Sequence, residues 1–195
     1  MKKSIFCSAL MVLALIAGCS GAAPTAKEDT DHPAAVILNN YSTRDFLAGD
    51  ILEADLDIMI QAGIRAPSAR NLQPWHFTVI QNQELAREII SNNLEGNILI
   101  VVSAQGDGKT NGVQILDCAL AVENIYLAAQ ALGYGSRIYT GPMGTVNSQL
   151  KAQLDLPSDY NAVALVRIGK IAPDTDAVSS ASSRKSAEEI VTYKR

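Results

Sequence analysis

The segment Pro67-Ser68-Ala69-Arg70-Asn71-Leu72-Gln73-Pro74-Trp75 is the most informative part of this 195-residue chain. It lies between a helical pattern and a strand pattern, a position where binding turns are often found. The segment combines two prolines, a serine hydroxyl, two amides, an arginine and the chain's single tryptophan. It can present fixed backbone and amide groups to a planar polar ring. The alternative is a turn that ends a helix and whose amides bind only nearby backbone.

Helical and strand patterns continue on both sides of this turn. Before it, we predict a short helix at 33–38 and an amphipathic helix at about 53–65, with Asp50 and Glu53 as a possible capping box. After it, we predict strands at 75–80, 97–103, 136–139 and 162–168, and helices at 83–92, 112–132 and 145–154. Four strands with intervening helices fit α+β or α/β, and the connection lengths leave the strand directions open.

The helix predicted at 112–132 is apolar around nearly its whole circumference. A helix with so little polar surface has to be covered on most sides. Because a chain of this size cannot easily cover it alone, we expect a second subunit to contribute part of the cover.

The N-terminus has the pattern of a bacterial lipoprotein signal. Lys2 and Lys3 precede a short apolar core, and small residues lead to Cys19. We predict a signal peptide at 1–18, a lipid-bearing Cys19 followed by a flexible tether to residue 31, and a folded domain at 32–195. The protein is then expected to be anchored in the cell envelope, outside the cytoplasm. The alternative is an uncleaved N-terminal anchor.

Charge and cysteine content narrow the possible partners. The net charge of −4 argues against nucleic acid or an anionic membrane surface as an electrostatic partner. Cleavage would leave Cys118 as the only unmodified cysteine, so we expect no internal disulfide. Two distant histidines give no metal-ligand spacing, and Cys118 is expected to be a small core residue.

The central turn resembles the P-S-x-x-N-x-Q-P-W turn of the FMN-dependent nitroreductase family. The resemblance implies that Asn71 and Gln73 bind the flavin ring or ribityl chain, with Ser68 contributing from the turn. It also implies an α+β fold: a mixed, mainly antiparallel sheet wrapped by helices, with the long apolar helix at a dimer interface.

Two further segments resemble the phosphate end of that family's site. Asn40-Tyr41-Ser42-Thr43-Arg44 is similar to R-R-S-x-R, in which Ser42 and Arg44 match while Asn40 and Tyr41 replace arginines. Arg184, before Glu188-Glu189-Ile190-Val191, resembles the C-terminal arginine that reaches the same phosphate. The alternative for Ser42 and Arg44 is an ordinary helix-to-loop junction with a solvated arginine. The alternative for Arg184 is a charged tail.

Gly133 to Gly141 follows the long helix as the family's G-L-G-S segment does. The resemblance places the backbone N–H groups of Thr140 and Gly141 against flavin N5. It implies a homodimer that passes a hydride from a reduced donor, NAD(P)H by resemblance, through FMN to a nitroaromatic or quinone. No side-chain nucleophile is needed, because the flavin performs the chemistry.

Two other functions remain as alternatives. The lost arginines and the predicted export are compatible with a catalytically silent lipoprotein that keeps the fold and acts as a binding module. Gly106-Asp107-Gly108-Lys109-Thr110 partly resembles a phosphate-binding P-loop, but Ser103 occupies the position of its first glycine. An exposed loop is the simpler interpretation of that segment.

Overall fold

The computed structural model describes residues 32–106, 112–176 and 182–195. The predicted signal peptide, Cys19 and the tether lie outside these ranges. So does most of the partial P-loop, because residues 107–111 are not described.

A four-stranded sheet forms the centre of the domain. Its strands are β1 (Trp75–Ile80), β2 (Ile98–Gln105), β3 (Gly135–Tyr139) and β4 (Tyr160–Gly169), in the order β1-β2-β4-β3. All three pairings are antiparallel, which resolves the strand directions that the sequence left open. The expected α+β class with an antiparallel sheet and a long apolar helix is confirmed. Both neighbours of β2 run antiparallel to it, whereas a strand-loop-helix P-loop normally belongs to a parallel sheet.

One face of the sheet is covered by α2 (Glu53–Ile64) and α4 (Gly112–Ala131). Their apolar side chains pack on alternate residues of β2 and β4, which point to this face because strand side chains alternate. Gly63 allows the closest approach between the two helices. A Cβ atom built on Gly63 would lie 2.8 Å from Cγ1 of Ile125, so only glycine fits there without a shift.

The opposite face is covered by α3 (Gln83–Ile89) and by α5 (Met143–Thr145), which continues as a π-helical turn at Val146–Leu150. The helix predicted at 145–154 therefore begins earlier and is not a regular α-helix. The contacts of Asn147 give a physical reason for this irregular helix. Its side-chain amide donates to the Ala162 carbonyl at 2.9 Å and accepts from the Ala162 N–H at 2.7 Å, which holds this turn against the irregular start of β4.

The predicted capping box at α2 is wrong. Leu52 occupies the N-cap position, and no side-chain cap is formed. The start of the helix is held instead by Tyr134, whose hydroxyl accepts the Leu52 N–H at 3.3 Å and donates to the Asp55 carboxylate at 2.7 Å. This long-range contact could not be recognised from the local sequence.

The outer side of α4 is apolar and exposed. Leu116 is 65% exposed, and Val113 and Leu120 lie beside it at helical spacing. By length and composition α4 is the one helix among the described residues that could cross a membrane, but it packs on the sheet and α2 as a core helix.

The two short remaining α-helices of the described residues are α1 (Ala35–Leu38) and α6 (Ala187–Ile190).

Candidate functional site

The central turn has an unusual backbone. Arg70, Asn71 and Gln73 have φ angles of 55°, 56° and 49°, and Asp155 is the only other non-glycine residue with positive φ in the described parts of the chain. Left-handed backbone costs roughly 1–2 kcal/mol for residues other than glycine, and less for asparagine. Strained conformations of this kind concentrate at ligand clamps and active sites. The turn therefore has the backbone expected of a binding element.

Hydrogen bonds within the turn fix its shape. The Ser68 Oγ accepts the Gln73 N–H at 3.0 Å, and the Ser68 carbonyl accepts the Asn71 N–H at 3.0 Å. The Gln73 amide donates to the Asn71 Oδ1 at 3.3 Å, and both side chains are exposed. Ser68 thus closes the turn, while the Asn71 and Gln73 amides face outward. The simpler interpretation, a self-satisfied turn, holds for Ser68 but leaves the Asn71 amide donors available.

One contact from another element anchors this turn. The carboxylate of Asp117 on α4 accepts the Ala69 N–H, with oxygen–nitrogen distances of 3.1 and 3.2 Å. Asp117 is buried, being 5% exposed. In the sequence, Asp117 is one of the few polar residues of the helix predicted at 112–132, and this is the signal by which it could have been found.

The segment at 41–43 lies at the other end of α4. The side-chain amide of Gln130 accepts the Tyr41 N–H at 3.2 Å and donates to the Tyr41 carbonyl at 3.0 Å. Thr43 pairs with Ser136 of β3 through its backbone N–H and its hydroxyl. Tyr41 and Thr43 are buried, whereas Ser42 and Arg44 between and beyond them are exposed. The alternation places the two predicted phosphate-binding side chains on the open side.

Arg44 and Arg184 approach the same residue although they are far apart in sequence. The Arg44 guanidinium donates to the Ser182 hydroxyl at 3.5 Å, a weak bond, and the Arg184 guanidinium donates to the Ser182 carbonyl at 2.6 Å. Burial raises the pKa of Tyr126, and the nearby charge of Arg184 opposes that rise. The structure therefore brings together the two arginines that the sequence assigned to one phosphate site.

Tyr41 gives this region an unsatisfied polar atom. Its hydroxyl oxygen is buried without a hydrogen-bond partner in the described structure. Asn40, the other residue in place of an arginine, accepts a bond from the Tyr126 hydroxyl at 3.3 Å. Buried hydroxyls without a partner also occur at Thr78 and Ser103, so this feature alone does not identify a ligand contact.

Thr140 and Gly141 follow directly after β3. Both are exposed, and a Cβ atom built on Gly141 would meet no atom within 4 Å. The backbone here faces open space and is accessible to a ligand.

Within one chain these three parts are separated. Asp117, beside the central turn, and Gln130, beside Tyr41, are thirteen positions apart on α4, or about 20 Å along the helix. Thr140 and the central turn lie toward the same end of the sheet but on opposite edges. Three strand spacings, about 14 Å, separate them across the sheet, and the register adds about three residues along the strands. Thr140 lies about 13 Å from Ser136 along β3. The central turn therefore does not share one single-chain cleft with the predicted phosphate residues.

The described residues give little support to a metal site or to a reactive cysteine. They contain no group of three or more metal-ligating side chains. Burial, followed by the charge of Asp117, raises the pKa of the Cys118 thiol to about 12, so Cys118 is the unreactive core residue that was expected.

The fold and the strained polar turn define an α+β protein whose candidate binding elements lie toward the two ends of α4. The Nitroreductase family matches residues 37–105 and 93–170. A protein from Archaeoglobus fulgidus, named as an NADH dehydrogenase or NAD(P)H nitroreductase, is 31% identical over 144 residues, covering 69% of this chain and 82% of that protein. The chain belongs to the Nitroreductase family, as its motifs predicted.

Solved structures confirm the fold. A nitroreductase with bound FMN from Desulfitobacterium hafniense superposes with a TM-score of 0.68 at 23% identity, covering 82% of this chain and 96% of that one. A second, from Bacteroides fragilis and also with bound FMN, gives 0.65 at 21% identity, covering 82% and 97%. The family match includes the segments at 40–44, 67–75 and 133–141 but ends before Arg184.

Proposed function

We propose that this protein is an FMN-dependent oxidoreductase that passes a hydride from a reduced donor to an electron-poor acceptor. The observation that carries this proposal is the convergence of Arg44 and Arg184 on Ser182, in a chain of the Nitroreductase family. Arg44 and Arg184 both contact Ser182, and both guanidinium groups are exposed. This arrangement suits a dianionic phosphate, because one guanidinium group can donate two parallel hydrogen bonds to two phosphate oxygens.

The residues present fit the rest of the cofactor as well. Ser42 is exposed, lies two positions before Arg44 and supplies a hydroxyl donor. Thr140 and Gly141, about 13 Å from Ser136 along β3, would offer backbone N–H groups to the ring. Asn40 and Tyr41 carry no positive charge, so Arg44 and Arg184 supply the charged hydrogen bonds to the phosphate in this proposal.

A second copy of the chain supplies the central turn in this proposal. Within one subunit, Asn71 and Gln73 are too far from Arg44 to share its ligand, at about 20 Å along α4. The exposed apolar side of α4, including Leu116 and Leu120, is the surface through which two chains pair. Pairing through α4 places the partner's turn beside the other chain's phosphate residues. The proposed active form is therefore a homodimer with two sites at its interface.

The flavin supplies the redox chemistry when it is bound, by accepting and then releasing a hydride. The protein residues bind and orient it. NAD(P)H is the proposed donor, and a nitroaromatic or quinone is the proposed class of acceptor. Backbone N–H groups at Thr140 and Gly141 stabilise negative charge on the ring, because fixed dipoles need no rearrangement when charge develops.

The proposal extends to location. The sequence pattern at 1–19 supports a lipid-anchored protein in the bacterial cell envelope, outside the cytoplasm. Metabolic labelling with a palmitate analogue tests this directly. Wild type should take up label and the Cys19→Ser variant should not.

The decisive experiment is spectroscopic. Protein expressed from Ser20 onward should purify with an oxidised-flavin absorbance band and release FMN on denaturation. It should also oxidise NAD(P)H in the presence of a quinone. Colourless protein that fails to take up added FMN would instead support the catalytically silent binding module, for which the replacement of two arginines by Asn40 and Tyr41 is the specific argument.

A further inference from the structure

We infer that Asp117 is a positioning residue for the flavin-binding turn, an inference that rests on the proposed function. Asp117 lies on α4, and its side chain is buried. It acts through the backbone of Ala69, whose N–H lies within 3.1 and 3.2 Å of its two carboxylate oxygens.

A carboxylate at this position is costly for folding. Asp117 is 5% exposed, and no basic group lies within 4.0 Å of it in the described parts of the chain. Burying an unpaired charge is unfavourable unless hydrogen bonds compensate for lost water. The neighbours of Asp117 on the inner side of α4 are apolar, such as Cys118 and Ala121. An apolar residue would suit the core better, so the carboxylate is explained by the bond that it accepts.

Among the described residues, that bond is the one hydrogen bond that joins residues 67–73 to another element. The other hydrogen bonds of the turn within the described structure are local, such as those that Ser68 accepts from Asn71 and Gln73. The next external bond joins Pro74 to Gln105 at the start of β1. Local bonds close the turn but do not fix it relative to the domain. The bond from Ala69 to Asp117 fixes the turn relative to α4.

The anchored position also explains how the strained backbone persists. Ala69 directly precedes Arg70, where φ becomes positive, and the left-handed residues Arg70, Asn71 and Gln73 follow. Strained residues persist when the surrounding structure over-determines them. With Ala69 held at one end and Pro74 at the other, the intervening residues have to turn within a short span. The exposed amides of Asn71 and Gln73 are consequences of that path.

Two variants remove the same bond from opposite sides. Asp117→Ala removes the acceptor. Ala69→Pro removes the donor and leaves α4 untouched; Ser68 before it is already extended, as a residue preceding proline should be. Each should weaken FMN binding at least tenfold, as measured by flavin fluorescence. The double variant should be no weaker than either single variant, because both changes delete one interaction.

Two controls separate positioning from general damage. Asp117→Asn keeps an oxygen that can accept the Ala69 N–H, so it should retain FMN affinity within about threefold of wild type. Cys118→Ala removes a buried side chain from the same helix that does not touch the turn, and it should leave FMN affinity unchanged. Equal losses in Asp117→Ala and Cys118→Ala would mean that only core packing matters.

A flavin-free measurement keeps this inference distinct from the proposed function. Trp75 is the chain's single tryptophan and ends the turn. In flavin-free protein, Asp117→Ala and Ala69→Pro should red-shift Trp75 emission and increase its quenching by acrylamide, with unchanged far-UV circular dichroism. Wild-type emission and quenching in both variants, or additive effects in the double variant, would overturn the role of Asp117. Failure of wild type to bind FMN would overturn the proposed function instead, and the tryptophan comparison would still decide the positioning role.

Discussion

Gln130 holds Tyr41 by both of its backbone groups. The side-chain oxygen accepts the Tyr41 N–H at 3.2 Å, and the side-chain nitrogen donates to the Tyr41 carbonyl at 3.0 Å and to the Ser136 hydroxyl at 2.9 Å. One amide thus joins the N-terminal segment, α4 and β3. Ser42 and Arg44 owe their exposed positions to this contact.

Gln130→Ala should therefore destabilise the domain and weaken FMN binding together. Leaving buried backbone groups unsatisfied costs about 1–3 kcal/mol, which urea unfolding can measure. Gln130→Glu is the matched control. It keeps the acceptor for the Tyr41 N–H but cannot donate to the Tyr41 carbonyl, so its loss should be of similar size. Wild-type stability in both variants would show that this contact does not hold the segment.

Arg184→Ala should weaken binding of FMN much more than binding of riboflavin, which lacks the phosphate. Hydrogen bonds to charged groups contribute about 1.5–3 kcal/mol, or roughly 10- to 100-fold in affinity. Lys185→Ala changes the neighbouring exposed cation and should have a small effect on both ligands. Equal losses for FMN and riboflavin in Arg184→Ala would remove Arg184 from the phosphate site.

Two substitutions at Asn71 distinguish the contribution of the turn's backbone conformation from that of the Asn71 side-chain amide. Asn71→Gly removes the amide but accepts a φ of 56° without strain, whereas Asn71→Ala removes the amide and strains the backbone. Both should reduce FMN affinity, and thermal unfolding of flavin-free protein should show a lower stability only for Asn71→Ala. Full flavin occupancy in both variants would show that the amide does not bind the ring.

Leu116 tests the proposed dimer. Leu116→Asp places a charge at the centre of the exposed apolar side of α4 and should convert a dimer to a monomer in analytical ultracentrifugation. FMN affinity should fall with it, since the proposed site uses both subunits. Leu94→Asp, at an exposed leucine elsewhere on the surface, should remain dimeric. A Leu116→Asp variant that stays dimeric would place the interface on another surface.

Ionisation of the Cys118 thiol should affect stability only at high pH. Burial, and then the charge of Asp117, raises the folded-state pKa of its thiol from 9.0 to about 12. The unfolded chain ionises first, so the stabilising preference for the protonated thiol is fully present below pH 9 and is lost as pH rises toward 12. Between those values, the free energy of unfolding should fall more steeply in wild type than in Cys118→Ala. Identical slopes would contradict the raised pKa.

Local patterns predicted most of the secondary structure. The positions of α2, β1 and α4 follow from helical or strand periodicity and from flanking prolines and glycines, which act over a few residues. The predictions failed where distant residues intervene. Tyr134 replaces the expected capping box of α2, and the Asn147–Ala162 contact accompanies the π-helical turn.

The sequence by itself determined the family, the turn at 67–75 as a candidate binding element and the list of residues for a flavin site. These depend on residue types at fixed spacing, which the printed sequence contains. The tertiary structure decided that all strand pairings are antiparallel, that Arg44 and Arg184 meet at Ser182, and that Asp117 holds Ala69. It also separated the central turn from the phosphate residues along α4. These relationships depend on hydrogen bonds and packing between residues distant in the chain, whose positions are set only when the whole core is assembled.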